Sequence, residues 1–329
     1  MTVSGTAAAE VAGGARSTGV AAPAELTVIV VTWNSRALTL RCLETLFENT
    51  PNLNMRVIVA DNGSEDGSAE AIAERFPQVD LIVNDGDFGF ARANNEAARR
   101  VDSEWLLLLN PDTEVHPNAI NNLLAFSKRH PEAGVTGGRT VFPDGSLNPK
   151  SAWNKMTPWS LFCFLSGLSI IFKDSSVFNA EAIGGWKRDT VRHVDVVQGS
   201  FFMLPTALWR KIGGFDRRYF MYGEEADLCL RAAALGYRPM ITPDAEIMHL
   251  GGASAPKGVR LLQNWRAKAT LIRQHWPKIL VPLGLVELSL GTATRALATF
   301  VRGKLTGRDV RNDDWLMLWA KRQEWLKGY

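Results

Sequence analysis

The feature that most constrains this chain's fold is an alternation of short, β-branched apolar runs with stretches of helical periodicity. After the first run Ser35 can cap a helix, and further helical stretches cover residues 68–76 and 90–101. Strands that alternate with helices predict an α/β fold with a mostly parallel, doubly wound sheet. The four apolar runs are residues 26–31, 56–60, 80–83 and 105–109.

Composition divides the chain into three parts. Residues 1–24 are rich in Ala, Gly, Ser and Thr and lack the basic start and apolar block of a signal peptide, so they predict a disordered tail. The regular pattern weakens near residue 140, and nine of the eleven tryptophans lie at or after Trp153. We therefore predict a body over residues 25–255, with halves of about 25–140 and about 141–255, and a helical extension over residues 256–329.

Charge and missing motifs exclude several classes of protein. The net charge of +3 is too small to indicate a nucleic-acid partner. Residues 256–329 nevertheless hold 14 Lys or Arg against 5 Asp or Glu, so a basic extension follows an acidic body. Neither GxGxxG after the first run nor GxxxxGK[ST] occurs, which disfavours dinucleotide enzymes and P-loop ATPases. Three cysteines without a CxxC pair indicate a reducing, cytoplasmic location.

Polar clusters follow three of the predicted strands, at the edge where open parallel sheets bind ligands. They are residues 32–34, 61–64 and 110–112. Turn chemistry alone explains any one of them, because Asn, Asp, Gly and Ser are common turn formers. Three clusters on one edge favour a ligand site, and the acidic and amide groups that begin with Asp61 suit a base or a ribose.

Two of these residues suit a metal ion. Asn110 and Asp112 lie two apart on an extended segment and so project to the same side. Their oxygens suit Mg²⁺ or Mn²⁺ completed by substrate phosphates. His249, after a later apolar run, could add an imidazole ligand that favours Mn²⁺, although a lone histidine is more often structural.

An acidic helix start at residues 223–227 is the candidate for acid–base chemistry. Acids in a first helical turn stabilise the helix dipole, and Asp227 with Arg231 forms an i,i+4 ion pair, so a structural role explains Asp227 well. The bulky apolar run at residues 219–222 could desolvate one of the other carboxylates and raise its pKa towards that of a general base.

Together these clusters resemble the family 2 glycosyltransferases, inverting enzymes of the GT-A (Rossmann-like) fold, and in particular their bacterial rhamnosyltransferase-like branch. The resemblance runs from about Leu26 to Gly252. Each motif is weak alone, but their order is specific. The motifs are Val30-Val31-Thr32-Trp33-Asn34, Asp61-Asn62-Gly63-Ser64, Gly89-Phe90-Ala91-Arg92-Ala93-Asn94-Asn95, Leu109-Asn110-Pro111-Asp112-Thr113, Gly213-Gly214-Phe215-Asp216, Glu224-Glu225-Ala226-Asp227 and His249-Leu250-Gly251-Gly252-Ala253-Ser254.

The resemblance implies a role for each candidate residue. Residues 25–140 would bind the donor and residues 141–255 the acceptor. Asp112 would carry a divalent cation, Mg²⁺ or Mn²⁺, and His249 would be a second ligand or a diphosphate contact. The catalytic base would be Glu225 or Glu224, and here Glu225 replaces the usual Asp, just as Asn110 stands where many members have Asp. The donor-binding residues would be Thr32, Asn34, Asp61, Arg92, Asn95 and Asn110.

The resemblance also implies the reaction and its substrates. A sugar, first of all rhamnose, would pass from a dTDP- or UDP-sugar to a hydroxyl of a glycan or polyprenyl-diphosphate-linked sugar, in cell-wall or surface polysaccharide synthesis. Two alternatives stay open at this point. A sugar nucleotidyltransferase would need a Gly-rich basic loop after the first strand, where Thr32-Trp33-Asn34 stands, and a non-catalytic sugar-nucleotide-binding relative is the other.

The extension admits two interpretations. Residues 158–172 are too few to span a bilayer, and residues 279–294 carry Pro282 and Glu287, so a single-pass anchor is disfavoured. Near the end, apolar side chains share one helical face and basic ones occupy others, as in a helix on the cytoplasmic face of an anionic membrane. The alternative is that this face packs on the catalytic domain or on a second subunit of a homodimer. The face consists of Trp315, Leu318, Trp319 and Leu326.

Overall fold

The computed structural model describes residues 23–251, 257–310 and 313–329. The predicted disordered tail lies outside the described residues except for its last two positions. The final residues of the last motif, from Gly252 to Ser254, lie outside them as well.

The described residues form a three-layer α/β body followed by a group of helices. The strands are β1 Leu26–Thr32, β2 Met55–Asp61, β3 Asp80–Val83, β4 Trp105–Leu109, β5 Thr113–Val115, β6 Thr136–Val141, β7 Ala152–Trp153, β8 Arg192–His193, β9 Val196–Val197, β10 Phe201–Pro205 and β11 Met240–His249. The helices are α1 Arg36–Asn49, α2 Ser68–Arg75, α3 Gly89–Ala98, α4 Ala119–Arg129, α5 Pro158–Ser166, α6 Leu168–Ile171, α7 Thr206–Ile212, α8 Glu224–Ala234, α9 Lys257–His275, α10 Val281–Thr306, α11 Asp314–Ala320 and α12 Arg322–Leu326.

The main sheet has the strand order β3-β2-β1-β4-β10-β6-β11-β5, with β8 paired to β11. Strands β1 to β4 pair in parallel, which confirms the fold predicted for this part of the chain. Strand β10 runs antiparallel to β4 and β6, and β11 runs antiparallel to β5 and β8, so the second half of the sheet is mixed.

Side chains on both faces of the sheet are buried, because successive residues of a strand point to opposite sides. In β1, Leu26, Val28 and Val30 pack in a core with residues of α1, α2 and α4. Ile29 and Val31 pack in a second core with residues of α3, α7 and α8. The polar ends of β1, β2 and β4 are thereby held at one edge.

The C-terminal helices form a third core together with α5. Its buried side chains come from α5, α9, α10, α11 and α12 and include Trp265 and Trp325. Leu318 belongs to this core and is fully buried, and the ring of Trp315 lies 5.4 Å from that of Trp265. Of the two interpretations of this predicted face, the structure therefore favours packing within the chain.

A different surface of the extension is apolar and exposed. Pro282 lies in the first turn of α10, where its missing N–H costs no hydrogen bond, so the helix continues to Thr306 and is longer than the sequence pattern indicated. Small or apolar residues such as Gly284 and Leu288 face the protein, whereas Leu290 and Leu297 are 61% and 62% exposed. Within the described residues, the segment Lys278–Thr306 is the one helix whose length and composition would allow it to cross a membrane.

Candidate active site

One cavity of about 910 Å³ opens at the edge of the sheet where the predicted clusters meet. The register of the sheet brings them together, because Thr32 pairs with Asp61 and Val30 pairs with Leu109. Six of the ten predicted site residues line this cavity. They are Thr32, Asn110, Asp112, Glu224, Glu225 and His249.

Asp112 and His249 form a buried pair on one wall of the cavity. They are neighbours because β5 pairs antiparallel with β11, which sets His249 opposite Thr113. Nε2 of His249 lies 3.2 Å from Oδ1 of Asp112, and the Gly251 N–H donates to Oδ2 at 3.1 Å. Burial acts to raise the pKa of Asp112, but the hydrogen bond and charge of His249 and the backbone N–H groups outweigh it and hold the pKa below its usual value.

The donor set around Asp112 fits a divalent cation. Nδ1 of His249 and Oδ1 of Asn110 are both buried, and no hydrogen-bond partner reaches either atom within the described parts of the chain. A carboxylate, an amide oxygen and an imidazole are ligands suited to Mg²⁺ or Mn²⁺. Among the described residues, no group of three His, Cys, Asp or Glu side chains surrounds a metal position, so substrate or water would complete the coordination.

A pair of glutamates faces the cavity from the start of α8. Tyr222 and Gly223 precede the pair with φ of 72° and 89°, and a positive φ is uncommon outside glycine, so the backbone here is strained. No hydrogen bond to Oε2 of Glu224 or of Glu225 is found among the described residues, and both atoms are buried. The arrangement therefore provides a buried carboxylate pair next to the strand ends.

The environment of this pair favours its protonated forms. Burial raises the pKa of Glu224, and the neighbouring charge of Glu225 raises it further. Burial also raises the pKa of Glu225. Two carboxyls this close titrate as a pair with shared apparent pKa values, and a raised pKa is what a general base working near neutral pH requires.

Asp227 differs from the glutamate pair because its carboxylate has hydrogen-bond partners of its own. Its carboxylate accepts from Arg231 at 2.8 Å, as the i,i+4 spacing predicted, and lies 2.8 Å from Nε2 of His275. His275, at the end of α9, also lines the cavity. No local spacing predicts this contact, because the two residues are 48 positions apart in the sequence.

Thr32 and Asp61 lie side by side at the ends of β1 and β2. The Thr32 hydroxyl is 2.7 Å from the Thr39 hydroxyl and 2.9 Å from that of Ser35, the residue at the start of α1. One carboxylate oxygen of Asp61 accepts from the Ser64 N–H at 2.7 Å. The other is buried and has no hydrogen-bond partner within the described ranges, although Asp61 does not line the main cavity.

Three predicted donor-binding residues make contacts within the protein instead of lining the cavity. Asn34 has a φ of 45°; its side-chain oxygen accepts from the Glu65 N–H, and its backbone N–H donates to Oγ of Ser64. The guanidinium of Arg92 lies 3.6 Å from the centre of the Phe88 ring. The side chain of Asn95 bonds the backbone of Phe215.

A hydrogen-bond network centred on Asn62 was also not predicted. Asn62 donates to Asp87 and to the Gly89 carbonyl, both at 3.2 Å, and accepts from Asn84 at 2.9 Å. It fixes the loop before α3 to the end of β2, and both Asn62 and Asp87 line the cavity. The signal was available, because Asn62 belongs to a cluster already singled out at a strand end.

Comparison with known proteins assigns the class that this fold and site define. Residues 27–190 match the profile of the glycosyl transferase family 2. The chain belongs to that family, as the motifs predicted.

Two curated relatives are rhamnosyltransferases. The chain is 27% identical over 221 residues to the N-acetylglucosaminyl-diphospho-decaprenol L-rhamnosyltransferase of Mycobacterium tuberculosis, and this match covers 59% of the chain and 66% of the relative, just under two thirds of its length. It is also 27% identical over 255 residues to rhamnosyltransferase WbbL of Escherichia coli K12, with 74% of the chain and 90% of the relative covered.

Solved structures share the fold at low identity. The mannosyltransferase PcManGT of Pyrobaculum calidifontis, solved with GDP-Man and Mn²⁺, superposes with a TM-score of 0.53 at 18% identity and covers 93% of this chain and 86% of its own. GalNAc-T7, solved with UDP, GalNAc and Mn²⁺, gives a TM-score of 0.53 at 15% identity and covers 78% of this chain and 52% of its own.

Proposed function

We propose that this chain is an inverting, cation-dependent glycosyltransferase that moves rhamnose from a nucleoside diphosphate to a hydroxyl of a polyprenyl-diphosphate-linked sugar. One observation carries the proposal: the Asp112–His249 pair and the Glu224–Glu225 pair line the same cavity at the carboxyl ends of parallel strands. That edge is where α/β sheets bind nucleotides. We assign donor binding to residues 25–140 and acceptor binding to residues 141–255.

Glu225 is the proposed general base. It takes the proton of the acceptor hydroxyl while that oxygen attacks the anomeric carbon, and the bond to the diphosphate breaks with its electron pair leaving on the nucleoside diphosphate. Glu224 is only 4% exposed, whereas Glu225 is partly exposed and lies beside Gly199 and Phe90 at the cavity wall. Glu224 then acts as a neighbour that raises the affinity of the pair for a proton.

Asp112 and His249 are the proposed ligands of the divalent cation, with Asn110 beside them. When bound, Mg²⁺ or Mn²⁺ offsets the negative charge of the diphosphate. The low pKa of Asp112 keeps this carboxylate ionised and ready to bind a cation at neutral pH. Thr32 and Asp61 remain the proposed contacts of the pyrimidine base of a dTDP- or UDP-sugar.

The proposed acceptor places the enzyme at the cytoplasmic face of a membrane. Helix α10, with Leu290 and Leu297 exposed, packs on α5 through Gly291 and Leu165, and α5 and α6 also carry exposed apolar residues. A large exposed apolar surface is a common mark of membrane or protein contact, and basic residues of α10 such as Arg302 and Lys304 suit anionic lipid. A second copy of the chain is the alternative occupant, which sedimentation without lipid tests.

A thermal-shift panel tests the donor assignment directly. The full chain is heated with dTDP-rhamnose, UDP-sugars or GDP-mannose, each with Mg²⁺ or Mn²⁺, because a ligand that binds the native state raises the melting temperature. We expect dTDP-rhamnose to give the largest rise. A larger rise with GDP-mannose would contradict the donor assignment, and an absence of both sugar transfer and slow donor hydrolysis would identify a non-catalytic relative.

Replacement of the proposed base tests the mechanism. We expect Glu225→Gln to lower kcat by about a hundredfold or more, the usual range for a lost general base, while the dissociation constant of the donor stays near that of the wild type. Rapid-quench turnover and donor calorimetry measure the two quantities. Unchanged turnover in this variant would remove Glu225 from the role, and Glu224→Gln, measured in parallel, tells the two carboxyls apart.

A further inference from the structure

The cavity is also lined by cations that the proposed donor and base residues do not include; we call this lining the cationic wall. Three lysines line it, Lys150, Lys155 and Lys268, and Arg260 of α9 lines it as well. Glu181 is the lining carboxylate that pairs with Lys268. The proposed donor and base residues lie at the strand ends and at the start of α8, so these cations are left without a role in the proposed chemistry.

Lys268 is held in a fixed position on this wall. Its side chain is only 20% exposed, and its Nζ lies 3.7 Å from Glu181 and 5.1 Å from the centre of the Phe164 ring. Glu181 also accepts the hydroxyl hydrogen of Ser160 at 3.1 Å, so its charge is shared between two donors. Lys155, within the described stretches of chain, forms no ion pair. The wall therefore carries a surplus of positive charge.

Aromatic rings lead from this wall to the surface. Phe178 lines the cavity, and its ring centre lies 4.9 Å from that of Phe172 and 5.9 Å from that of Trp159. Trp159 in turn lies 5.8 Å from Phe162. These outer three rings are 45–46% exposed, and Ile170 of α6 is exposed as well. The cationic wall and the apolar surface are thus joined by a continuous path of apolar side chains.

We infer that the cationic wall binds the prenyl diphosphate of the acceptor, with the diphosphate at Lys155 and Lys268 and the isoprenoid chain along Phe178, Trp159 and Phe162. The inference rests on the proposed function. A diphosphate carries several negative charges, which require fixed cations when they are partly desolvated. An isoprenoid chain gains free energy in proportion to the apolar area that it removes from water. A soluble glycan acceptor would use neither feature.

Farnesyl diphosphate is a suitable probe, because it carries the prenyl diphosphate without a sugar. Binding to the full chain is measured by calorimetry with saturating dTDP and Mg²⁺, so that the donor site is already filled. We expect Lys268→Gln to weaken binding about tenfold and the double variant Lys155→Gln/Lys268→Gln about a hundredfold, since charge-assisted hydrogen bonds are the stronger ones. Lys268→Arg should keep most of the affinity.

Two matched variants distinguish a specific loss of binding from a general loss of structure. Lys211, on α7, is exposed and does not line the cavity, so Lys211→Gln should leave the affinity unchanged. Trp159→Ser should weaken the binding of farnesyl diphosphate but not that of inorganic pyrophosphate, because only farnesyl diphosphate has an isoprenoid chain that can contact the ring. Rising salt should weaken wild-type binding more than binding to the double variant.

The outcomes distinguish this inference from the proposed function. Farnesyl diphosphate that binds equally to the wild type and the double lysine variant overturns the inference, and so does farnesyl diphosphate that is displaced by dTDP. Lysine-dependent binding in a protein that transfers no sugar supports the inference and refutes the proposed function. Sugar transfer to a short soluble acceptor with lysine-independent prenyl binding leaves the function standing and removes the site.

Discussion

Asn95→Ala tests whether this asparagine holds the structure or contacts the donor. Asn95 lies in α3, and its side-chain amide donates to the Phe215 carbonyl at 2.8 Å while its oxygen accepts from the Phe215 N–H at 2.9 Å. The two residues are 120 positions apart, so the pair ties α3 to the loop that leads towards Glu224. The approach is close enough that a Cβ on Gly214 would lie 2.4 Å from the Asn95 oxygen.

The expected loss of stability follows from these contacts. Each hydrogen bond contributes about 1 kcal/mol net, and Phe215 is buried, so leaving its N–H and C=O without partners adds about 1–2 kcal/mol. We therefore expect Asn95→Ala to lower the free energy of unfolding by about 2–4 kcal/mol, a large fraction of the stability of a typical domain. The dissociation constant of the donor should stay within about twofold of the wild-type value, because Asn95 does not line the cavity.

Urea unfolding followed by tryptophan fluorescence measures the change, and Trp209 is a local reporter because its ring lies 5.1 Å from that of Phe215. Asn122→Ala is the matched control, since Asn122 makes one exposed side-chain hydrogen bond, to the Asp244 carbonyl. The control should change the free energy of unfolding by less than about 0.5 kcal/mol. If Asn95→Ala behaves like the control and weakens donor binding tenfold, the structural role is refuted and the donor role is supported.

Three further predictions address charge and surface. Glu224→Gln should stabilise the protein at pH 8, because burial raises the pKa of Glu224 and ionisation therefore favours the unfolded state. The gain should vanish below the ordinary pKa of 4.5, where both states hold the proton, and a difference in urea midpoint between variant and wild type that does not depend on pH would contradict it. Asp112→Ala should abolish the Mg²⁺ or Mn²⁺ dependence of donor binding, and calorimetry that still shows this dependence would remove Asp112 from the cation site. Leu290→Glu/Leu297→Glu should reduce flotation with anionic liposomes at least fivefold in a gradient assay, because charges enter the exposed face of α10, and equal flotation would show that another surface binds lipid.

Local periodicity was sufficient to predict the parallel half of the fold, because it depends on residues close together in sequence. The runs that became β1 to β4 alternate with helices, and a parallel sheet is the arrangement that buries both faces of such strands. The antiparallel entry of β10 could not be predicted in the same way. Its position between β4 and β6 depends on pairing between residues 92 to 100 positions apart for β4 and 65 to 67 positions apart for β6.

The site was predicted in part for a related reason. A motif can place Asp112 and His249 in one site by resemblance, but their contact depends on β5, a strand of three residues that carries no sequence signal of its own. Asn34 and Asn95 show the converse. An asparagine in a motif looks the same in sequence whether its amide meets a ligand or the backbone of a distant loop, and here both side chains bond the backbone.

The extension shows that periodicity identifies a face but not what covers it. Residues 315–326 have an apolar face that is packed against α9 and α10. In α10 the small residues Gly284 and Gly291 lie close to Trp276 and Leu165, so the helix packs by its least apolar side. The larger leucines are then left on the outside, which the length and composition of the segment alone did not reveal.

The two carboxylate groups of the cavity differ in their neighbours, and this difference supports the roles proposed for them. Asp112 and Glu225 share a partly water-excluded space, and burial alone would raise the pKa of both. Asp112 receives His249 and the Gly251 N–H, so its pKa falls and it stays charged, as binding a cation requires. Glu225 has no such charged partner, so burial outweighs the backbone N–H groups that its carboxyl meets, and its pKa rises, as a general base requires. Environments that shift the pKa values of two carboxyls in opposite directions allow one cavity to hold both a cation and a general base.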